Sequence, residues 1–232
     1  MDTYQLLIQI IPLAWAAAVS PTALSFFLVM MSMTDKPRLA GLSFYIGAIL
    51  VFLITVIIGI ILGTSLSLSG HSDPSTIAAI DIFLGAILVL LGLRNLFGKK
   101  SERQSGVLLK YLKVEDSASN TVKFRRYFTV GFLTFLINFS TAVFVLAAAR
   151  QIGLAKGALF TDAVAIIVLG IITLVVIEVP LLFFLLFPKT GAKAMKPVDN
   201  WISSHGNILI AVFLIVIGAY IIFNGLIKLG MT

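Results

Sequence analysis

Apolar residues run along this chain in long, nearly uninterrupted stretches, without the alternation typical of a half-buried strand or of an amphipathic helix. A helix needs roughly 20 mostly apolar residues to cross a bilayer. Six stretches reach that length, and they cover residues 4–33, 38–64, 76–98, 127–150, 157–187 and 201–228. The pattern therefore predicts an all-α integral membrane protein with six transmembrane helices.

Composition supports this class and removes several others. Of the 232 residues, 59% are hydrophobic and only 12% are charged, against about 25% charged in soluble domains. The net charge of +7 does not require a nucleic-acid partner, because basic residues accumulate on the cytoplasmic side of membrane proteins. The absence of cysteine excludes disulfides and thiol chemistry. Since the chain has only two histidines and no recognisable nucleotide-binding loop or catalytic arrangement, we expect no metal, no cofactor and no enzymatic activity.

The distribution of basic residues predicts the orientation. All but three of the 17 Lys and Arg residues lie on or beside the loops that follow the first, third and fifth stretches. The exceptions are Arg150, Lys156 and Lys228. Because the basic side faces the cytoplasm, we expect a protein of the plasma membrane with both termini extracytoplasmic.

The chain divides into two halves around one hydrophilic segment. Residues 1–98 hold the first three helices, 99–126 form a basic cytoplasmic loop, and 127–232 hold the last three helices. Because three is an odd number of crossings, the second half must enter the membrane from the opposite side. The sequence therefore predicts two inverted-topology three-helix repeats, an arrangement typical of secondary transporters.

Polar residues and a proline interrupt the first and fourth stretches. Pro21 lacks an N–H and should break helix 1 near the middle of the membrane. Helix 4 carries a polar cluster at the corresponding place, and a break there is left open. Broken backbone at this depth must be buried or line a cavity, so we predict a substrate-binding site made by Ser20, Pro21, Thr22, Asn138, Ser140 and Thr141. The alternative is an ordinary kink at Pro21, with hydroxyls that bond only to the preceding turn.

Three carboxylates lie within the predicted helices. Glu178 is the deepest, and a carboxylate at that depth indicates function by default. It is a candidate for proton coupling, or it is protonated and bonds the carbonyls that Pro180 frees. Asp81 and Asp162 are expected near the interface and in contact with solvent, and Arg150 is expected to extend its side chain to the interface.

Three segments resemble a known transporter superfamily. They run from Ser20 to Gly47, from Ile137 to Gly153 and from Pro197 to Leu226. They are similar to the lysine exporter (LysE) superfamily, and most of all to its GAP branch, which is named for addressing glycopeptidolipid and sulfolipid to the mycobacterial surface. The resemblance implies an exporter. The fourth helix departs from the family pattern Asn-Pro-Lys-Asn, because Asn138 is followed here by Phe-Ser-Thr.

These observations together predict a secondary exporter of a small or amphipathic polar molecule that works by alternating access, with proton coupling left open. The alternative is a non-transporting membrane scaffold that helps to assemble or deliver a cell-envelope lipid, with the long basic loop contacting anionic lipid or a partner. The expected partners are a small-molecule or lipid-like substrate and membrane lipids, without nucleic acid. A homo-oligomer is left open.

The orientation can be tested directly, because the chain has no cysteine of its own. Single cysteines introduced at Ser72 and Ser119 should react with an impermeant thiol reagent from opposite sides of the membrane, Ser72 from outside. Reaction of both positions from the same side would contradict the six-helix topology.

Overall fold

The computed structural model describes residues 3–68, 74–97, 118–155, 157–187 and 191–230. His71, Ser72 and most of the predicted basic loop (its residues 99–117) lie outside these residues. Within the described part, the chain forms helices and no strand. The helices are α1 (Thr3–Ala18), α2 (Pro21–Met33), α3 (Pro37–Leu68), α4 (Pro74–Phe97), α5 (Asn120–Leu136), α6 (Phe139–Ala155), α7 (Leu159–Leu186) and α8 (Gly191–Lys228).

Four of these helices are long and apolar enough to cross a membrane alone, namely α3, α4, α7 and α8. They contain the predicted stretches 38–64, 76–98, 157–187 and 201–228 almost entirely, although α8 begins ten residues earlier, at Gly191. The outward side of α3 carries a continuous set of exposed aliphatic side chains: Leu42, Ile46, Leu50, Leu53, Ile54, Ile57, Ile58, Ile61 and Leu62. Such an apolar surface is suited to contact with lipid. The chain is a multi-pass membrane protein.

The first and fourth predicted stretches are each a pair of helices with a sharp bend between them. The axis turns by 51° between α1 and α2, and by 72° between α5 and α6. The predicted break before Pro21 is confirmed, and the break that was left open in the fourth stretch is present beside Asn138. Pro21 therefore ends one helix and begins another, which excludes the ordinary kink.

The fourth stretch is longer at both ends than the sequence predicted. Helix α5 begins at Asn120, where the Ser119 hydroxyl accepts a hydrogen bond from the Val122 N–H at 3.4 Å. Residues assigned to the loop, among them Lys123, thus lie in a helix, because a good N-cap lies well before the apolar run begins. Helix α6 continues to Ala155, which places Arg150 inside it.

Helices α4 and α8 form the most extensive helix pair in the described chain, and they run antiparallel. Gly85 lies against Gly218, and the positions seven residues to either side continue the contact, with Gly92 against Ala211 and Ala78 against Gly225. Small residues at this spacing let the two backbones touch. A β-carbon at Gly218 would meet the Gly85 carbonyl and the side chains of α4.

Helix α3 lies along the whole second bent pair. Gly131 of α5 contacts Phe44 near the start of α3, while Gly153 of α6 contacts Ile60 and Gly63 towards its end. Residue numbers therefore rise together along α3 and along α5–α6. The pair advances in one direction beside α3 and does not turn back.

Helix α7 bears the same relation to the first bent pair. Thr3 in α1 shares a hydrogen bond of 3.0 Å with Thr161 at the start of α7. Met31 in α2 and Leu181 near the end of α7 meet over Gly41 of α3. The pair α1–α2 therefore runs along α7 in a common direction, as α5–α6 does along α3.

The buried side chains form two separate clusters. The α1 cluster combines α1, α4, α6, α8 and one end of α3 and α7, with members such as Leu6, Ile10, Phe52, Phe144 and Leu169. The α2 cluster combines α2, α5 and the other end of α3 and α7, with members such as Phe27, Phe44, Val130, Ile177 and Phe184. Along α3 the boundary falls between Val51 and Phe52. Both helix breaks lie at the boundary between the two clusters.

The α4–α8 contact yields a stability prediction. Gly218→Leu should lower the free energy of unfolding in detergent by about 1–3 kcal/mol, because the added side chain has no space against α4. Ala219→Leu is the matched control, since Ala219 is the next residue along α8 and is exposed. Equal stability of the two variants, measured by thermal unfolding, would contradict the close backbone contact.

Candidate functional site at the two helix breaks

The first break leaves one backbone acceptor without its helical partner. In a continuous helix the carbonyl of Ala17 would accept from the N–H of residue 21, and Pro21 has none. The structure supplies a replacement from the other half of the chain, because the Thr141 hydroxyl donates to the Ala17 carbonyl at 3.0 Å. The bond crosses from α6 to α1 and is buried. Thr141 thus does not bond to its own preceding turn.

Ser20 caps the helix that follows the break. Its backbone lies outside the helical region (φ −132°, ψ 85°), which is the region that a following proline disfavours. Its hydroxyl oxygen accepts from the Ala23 N–H at 3.3 Å, the bond of an N-cap. The same oxygen also accepts a hydrogen bond of 2.6 Å from the Asn138 amide nitrogen. Asn138 therefore connects the two breaks directly.

Asn138 caps α6 with the other end of its amide. Its Oδ1 accepts from the Ser140 hydroxyl at 2.9 Å and from the Thr141 N–H at 3.5 Å. The N-caps of α2 and α6 are thus hydrogen-bonded to each other. Each helix N-terminus carries a partial positive charge, and here two such ends converge on one buried point. An anionic or strongly polar group is the ligand that this field favours.

The structure brings together most of the predicted site residues. Ser20, Asn138 and Thr141 share one hydrogen-bonded network with the Ala17 carbonyl, and Pro21 is buried beside it and causes the break. Ser140 joins the network only through Asn138. The Thr22 side chain is exposed, and none of these hydrogen bonds involves it. A role of these residues in substrate binding stays a prediction.

A small cavity adjoins the network at the boundary between the clusters. Its free space is about 10 Å³, enough for about one water molecule. Three threonines, Thr55, Thr141 and Thr173, give it polar groups, and the rest of the lining is Val51, Phe52, Phe135, Ala142 and Val145. Thr173 is 1% exposed, and its hydroxyl has no hydrogen-bond partner among the described residues. Sequence reasoning missed Thr55 and Thr173, although hydroxyls in otherwise apolar helices were a visible signal.

Glu178 lies away from this cavity, in the end of α7 that packs with α2. Its carboxylate accepts a hydrogen bond of 2.6 Å from the Tyr45 hydroxyl of α3. It does not line the cavity. A proton-coupling role therefore remains a prediction, and the carboxylate would have to act across the α3–α7 contact.

Asp81 and Arg150 correct the sequence interpretation. They were expected in contact with solvent, but the residues are 3% and 2% exposed, and Arg150 Nη1 donates to Asp81 Oδ1. The error follows from judging depth by distance from the ends of the predicted stretches. Helix α6 extends beyond Arg150, and the side chain turns into the protein towards α4. Burying charged groups costs free energy unless they are paired and fully hydrogen-bonded. The burial of this pair therefore calls for an explanation. Asp162, by contrast, is only partly buried, in the first turn of α7.

A second set of polar contacts lies at the other end of the molecule, between the α2–α3 connection and the start of α5. Lys123 Nζ lies 2.7 Å from Asp35 Oδ2, and the hydroxyls of Thr34 and Tyr127 are 2.8 Å apart. The bond from the Lys123 ammonium holds the pKa of the Asp35 carboxyl below its usual value. These contacts join the two halves of the chain where α2 ends and α5 begins.

No group of three or more His, Asp or Glu side chains that could hold a metal occurs in the part of the chain that the structure describes. The polar groups of the candidate site are neutral hydroxyls, one amide and backbone atoms. Such a set suits hydrogen bonding to a substrate better than covalent chemistry.

A family model described as Sap, sulfolipid-1-addressing protein, matches residues 10–227. The chain belongs to the sulfolipid-1-addressing protein family. The match spans both helix breaks and the buried ion pair, so the candidate site lies within the family region. Comparisons with curated proteins and with solved structures gave no match. Membership agrees with the branch that the sequence resembles, while the wider LysE superfamily stays a prediction.

The bond between the two N-caps can be measured by a double-mutant cycle. Ser20→Ala and Asn138→Ala should show a coupling free energy of about 0.5–1.5 kcal/mol in unfolding, because each removes the same hydrogen bond. Ser43 is the control, since its hydroxyl bonds locally to the Leu39 carbonyl. Ser43→Ala combined with Asn138→Ala should be additive. Additivity in both cycles would show that the breaks are not joined energetically.

Proposed function

We propose that this protein is a secondary exporter of a small or amphipathic polar molecule, built as two inverted three-helix halves that alternate access to a site between the two helix breaks. The observation that carries the proposal is the shared network of Ser20, Asn138 and Thr141, in which the second break donates hydrogen bonds to the Ala17 carbonyl and to the Ser20 hydroxyl of the first break. Broken helices that meet at mid-membrane are the usual substrate sites of such transporters.

The proposal takes each bent pair as one crossing, which gives six. A helix of 16 or 13 residues, such as α1 or α2, is only about 24 or 20 Å long, so neither crosses a hydrocarbon core of about 30 Å alone. Both bends are smaller than a right angle, and each pair continues forward along a full-length neighbour. A re-entrant loop would have to return to the side from which it came.

The helix contacts support an inverted repeat. The pair α1–α2 lies along α7, and the pair α5–α6 lies along α3. Helices α4 and α8 are antiparallel partners of each other. Exchanging the two halves therefore preserves the pattern of neighbours, as a two-fold axis in the membrane plane requires. On the basic-residue count, the Asp35–Lys123 end faces the cytoplasm.

In this conformation the site is closed towards both sides. The contacts of Asp35 and Thr34 with α5 close the proposed cytoplasmic end. At the proposed outer end the closing contacts are Arg150 with Asp81, and Thr3 with Thr161. The cavity between them has room for only about one water molecule. A substrate would enter only when one of these two sets opens, which is the requirement of alternating access.

The converging N-termini of α2 and α6 favour a substrate with an anionic or strongly polar group. The hydroxyls of Thr55 and Thr173 offer further hydrogen bonds from α3 and α7. Apolar residues make up the rest of the lining, which suits the hydrophobic part of an amphipathic molecule. Proton coupling through Glu178, location in the plasma membrane and a place in the LysE superfamily are parts of the same proposal.

The second candidate is the non-transporting scaffold. The word "addressing" in the family description favours it, because delivery of a lipid does not require transport by this chain alone. The basic residues at the proposed cytoplasmic end would then contact anionic lipid or an assembly partner.

Reconstitution of the purified chain separates these functions. Proteoliposomes would be tested with fluorescent short-chain acidic glycolipids and lysophospholipids, with movement scored by access of an impermeant quencher. The exporter predicts that at least one probe moves with the purified protein alone. Asn138→Ala should weaken its binding by about 1–2 kcal/mol, roughly tenfold in affinity. Asn224→Ala in α8 is the matched control. Binding of these probes without movement would favour the scaffold.

The role of the first helix break can be tested at Pro21, with Pro12 as the control position. Pro21→Ala should let the first span straighten and close the site, which would abolish movement of the probe. Pro12 is also within the first span, but it is exposed and lies in the continuous helix α1, so Pro12→Ala should transport normally. Equal transport by the two variants would contradict a functional break.

A proton-coupling role is tested in the same vesicles. Glu178→Gln should remove the dependence of transport on pH while the protein stays folded and inserted. Tyr45→Phe, which removes the hydrogen bond to this carboxylate, should alter the pH profile without abolishing transport. An unchanged profile in both variants would make Glu178 a structural residue.

A further inference from the structure

The guanidinium of Arg150 bonds to Asp81 through one nitrogen, and its other two nitrogens have no partner in the described structure. Nη1 donates to the Asp81 carboxylate, whereas Nε and Nη2 are buried and make no hydrogen bond within the described structure. The whole residue is 2% exposed. Nε–H and Nη2–H are the parallel donors that a guanidinium offers to a carboxylate, phosphate or sulfate in bidentate pairing. The edge best suited to an oxyanion is thus the edge that the protein does not use.

A purely structural ion pair does not account for this geometry. Buried charges are tolerated when their remaining donors are satisfied, and buried donors in proteins nearly always find a partner. Along α6, Ala147, Ala148, Ala149 and Ile152 carry no side-chain acceptor, and the adjacent Gln151 does not bond to Nε or Nη2 either. An ionised residue kept inside a membrane protein under these conditions indicates a ligand.

We propose that Arg150 binds the oxyanion group of an amphipathic ligand through Nε and Nη2, while Asp81 holds the guanidinium from the Nη1 side. Asp81 is a positioning residue and also a competitor, because its carboxylate occupies a donor that a second anion oxygen would use. Four neighbours of the arginine along α6 belong to the apolar α1 cluster, so the oxyanion would bind beside an apolar region of the protein.

The site is separate from the network at the helix breaks. Arg150 lies about 18 Å along α6 from Asn138, towards the proposed outer end. Glycines 59 and 63 of α3 pack against the α6 backbone at Arg150 and fix the position of its Cα. An anionic group that leaves the N-terminus of α6 would meet this second positive group on the same helix. The binding claim itself does not depend on transport.

Binding is tested on the full chain in nanodiscs of zwitterionic phosphatidylcholine. In one arm, sodium sulfate and sodium phosphate are added at constant ionic strength against sodium chloride, and thermal unfolding is followed. In the other arm, phosphatidylglycerol is mixed into the nanodisc. A higher Tm with sulfate or phosphate identifies a free anion as a sufficient ligand. A higher Tm with phosphatidylglycerol alone identifies a lipid headgroup. Either result supports the site.

Variants then assign the effect to Arg150. Arg150→Lys keeps the charge but loses the paired donors, so the apparent affinity for the active anion should fall about tenfold or more. Asp81→Asn removes the competitor, so the same anion should raise Tm further than in the parent protein. The double variant Arg150→Met with Asp81→Asn is neutral and should fold without responding to anions. Arg125→Lys, at an exposed arginine of α5, is the matched control and should respond as the parent does.

The proposal fails if no anion or anionic lipid raises the Tm of the parent protein above the chloride control. It also fails if Arg150→Lys, or the neutral double variant, responds as strongly as the parent. The comparison of the parent with Arg150→Lys is sufficient by itself should Asp81→Asn not fold. None of these measurements requires transport, so loss of the exporter function in vesicles would leave the result standing.

Discussion

The backbone carbonyl of Ala17 needs a hydrogen-bond donor that its own helix cannot give, because the residue four positions later is Pro21. In a bilayer core no water is available, and an unsatisfied backbone group costs several kcal/mol. Thr141 from the other half of the chain meets this need at 3.0 Å. Asn138 meets the corresponding needs of the second break and at the same time bonds to Ser20. The first break thus depends on the second half of the chain, and this dependence fixes where the two halves of the molecule meet.

The rest of the architecture follows from that meeting point. Because both breaks lie at one depth, the buried side chains separate into a cluster on each side of it, and the small threonine-lined cavity lies between the clusters. Glycine contacts hold α4 against α8 and α3 against α5–α6 with backbones touching, which makes these groups of helices stiff. The polar bonds at the breaks are individually weak, at about 1 kcal/mol each. Stiff groups joined by weak central bonds can rock against each other, which is the motion that the proposed function needs.

Sequence reasoning predicted the parts of this structure that depend on local chemistry. Long apolar runs mark α3, α4 and α7, and Ser20-Pro21 marks the first break, because a proline without an N–H acts wherever it occurs. The second break has no proline, and Asn138 ends the helix only because its amide can cap α6 and reach Ser20. Thr22 was predicted as a site residue together with the adjacent Ser20-Pro21. One step of about 100° around the helix, however, turns its side chain outward. Which hydroxyl faces the site depends on packing that the chain order does not show.

The burial of charged residues was likewise not predictable from local sequence. Arg150 and Asp81 are far apart in sequence, and each alone resembles an interface residue. Their burial as a pair depends on the contact of α6 with α3 and α4, which no local pattern encodes. Lys123, in the same way, was assigned to a loop, because a basic residue far from an apolar run carries no signal of burial. Its 1% exposure arises from the start of α5 packing beside the α2–α3 connection.

The central claim, that the two halves alternate around the closed junction of the breaks, is tested most directly by paired distance measurements. Spin labels at Lys36 and Asn120 report on the proposed cytoplasmic end, where these side chains are 2.6 Å apart, and labels at the exposed Tyr4 and Phe160 report on the other end. Double electron–electron resonance in nanodiscs at acidic and neutral pH, with and without anionic lipid, should show two populations, with one pair separated whenever the other is close. A single short distance at both ends under every condition would contradict alternating access and leave a rigid scaffold.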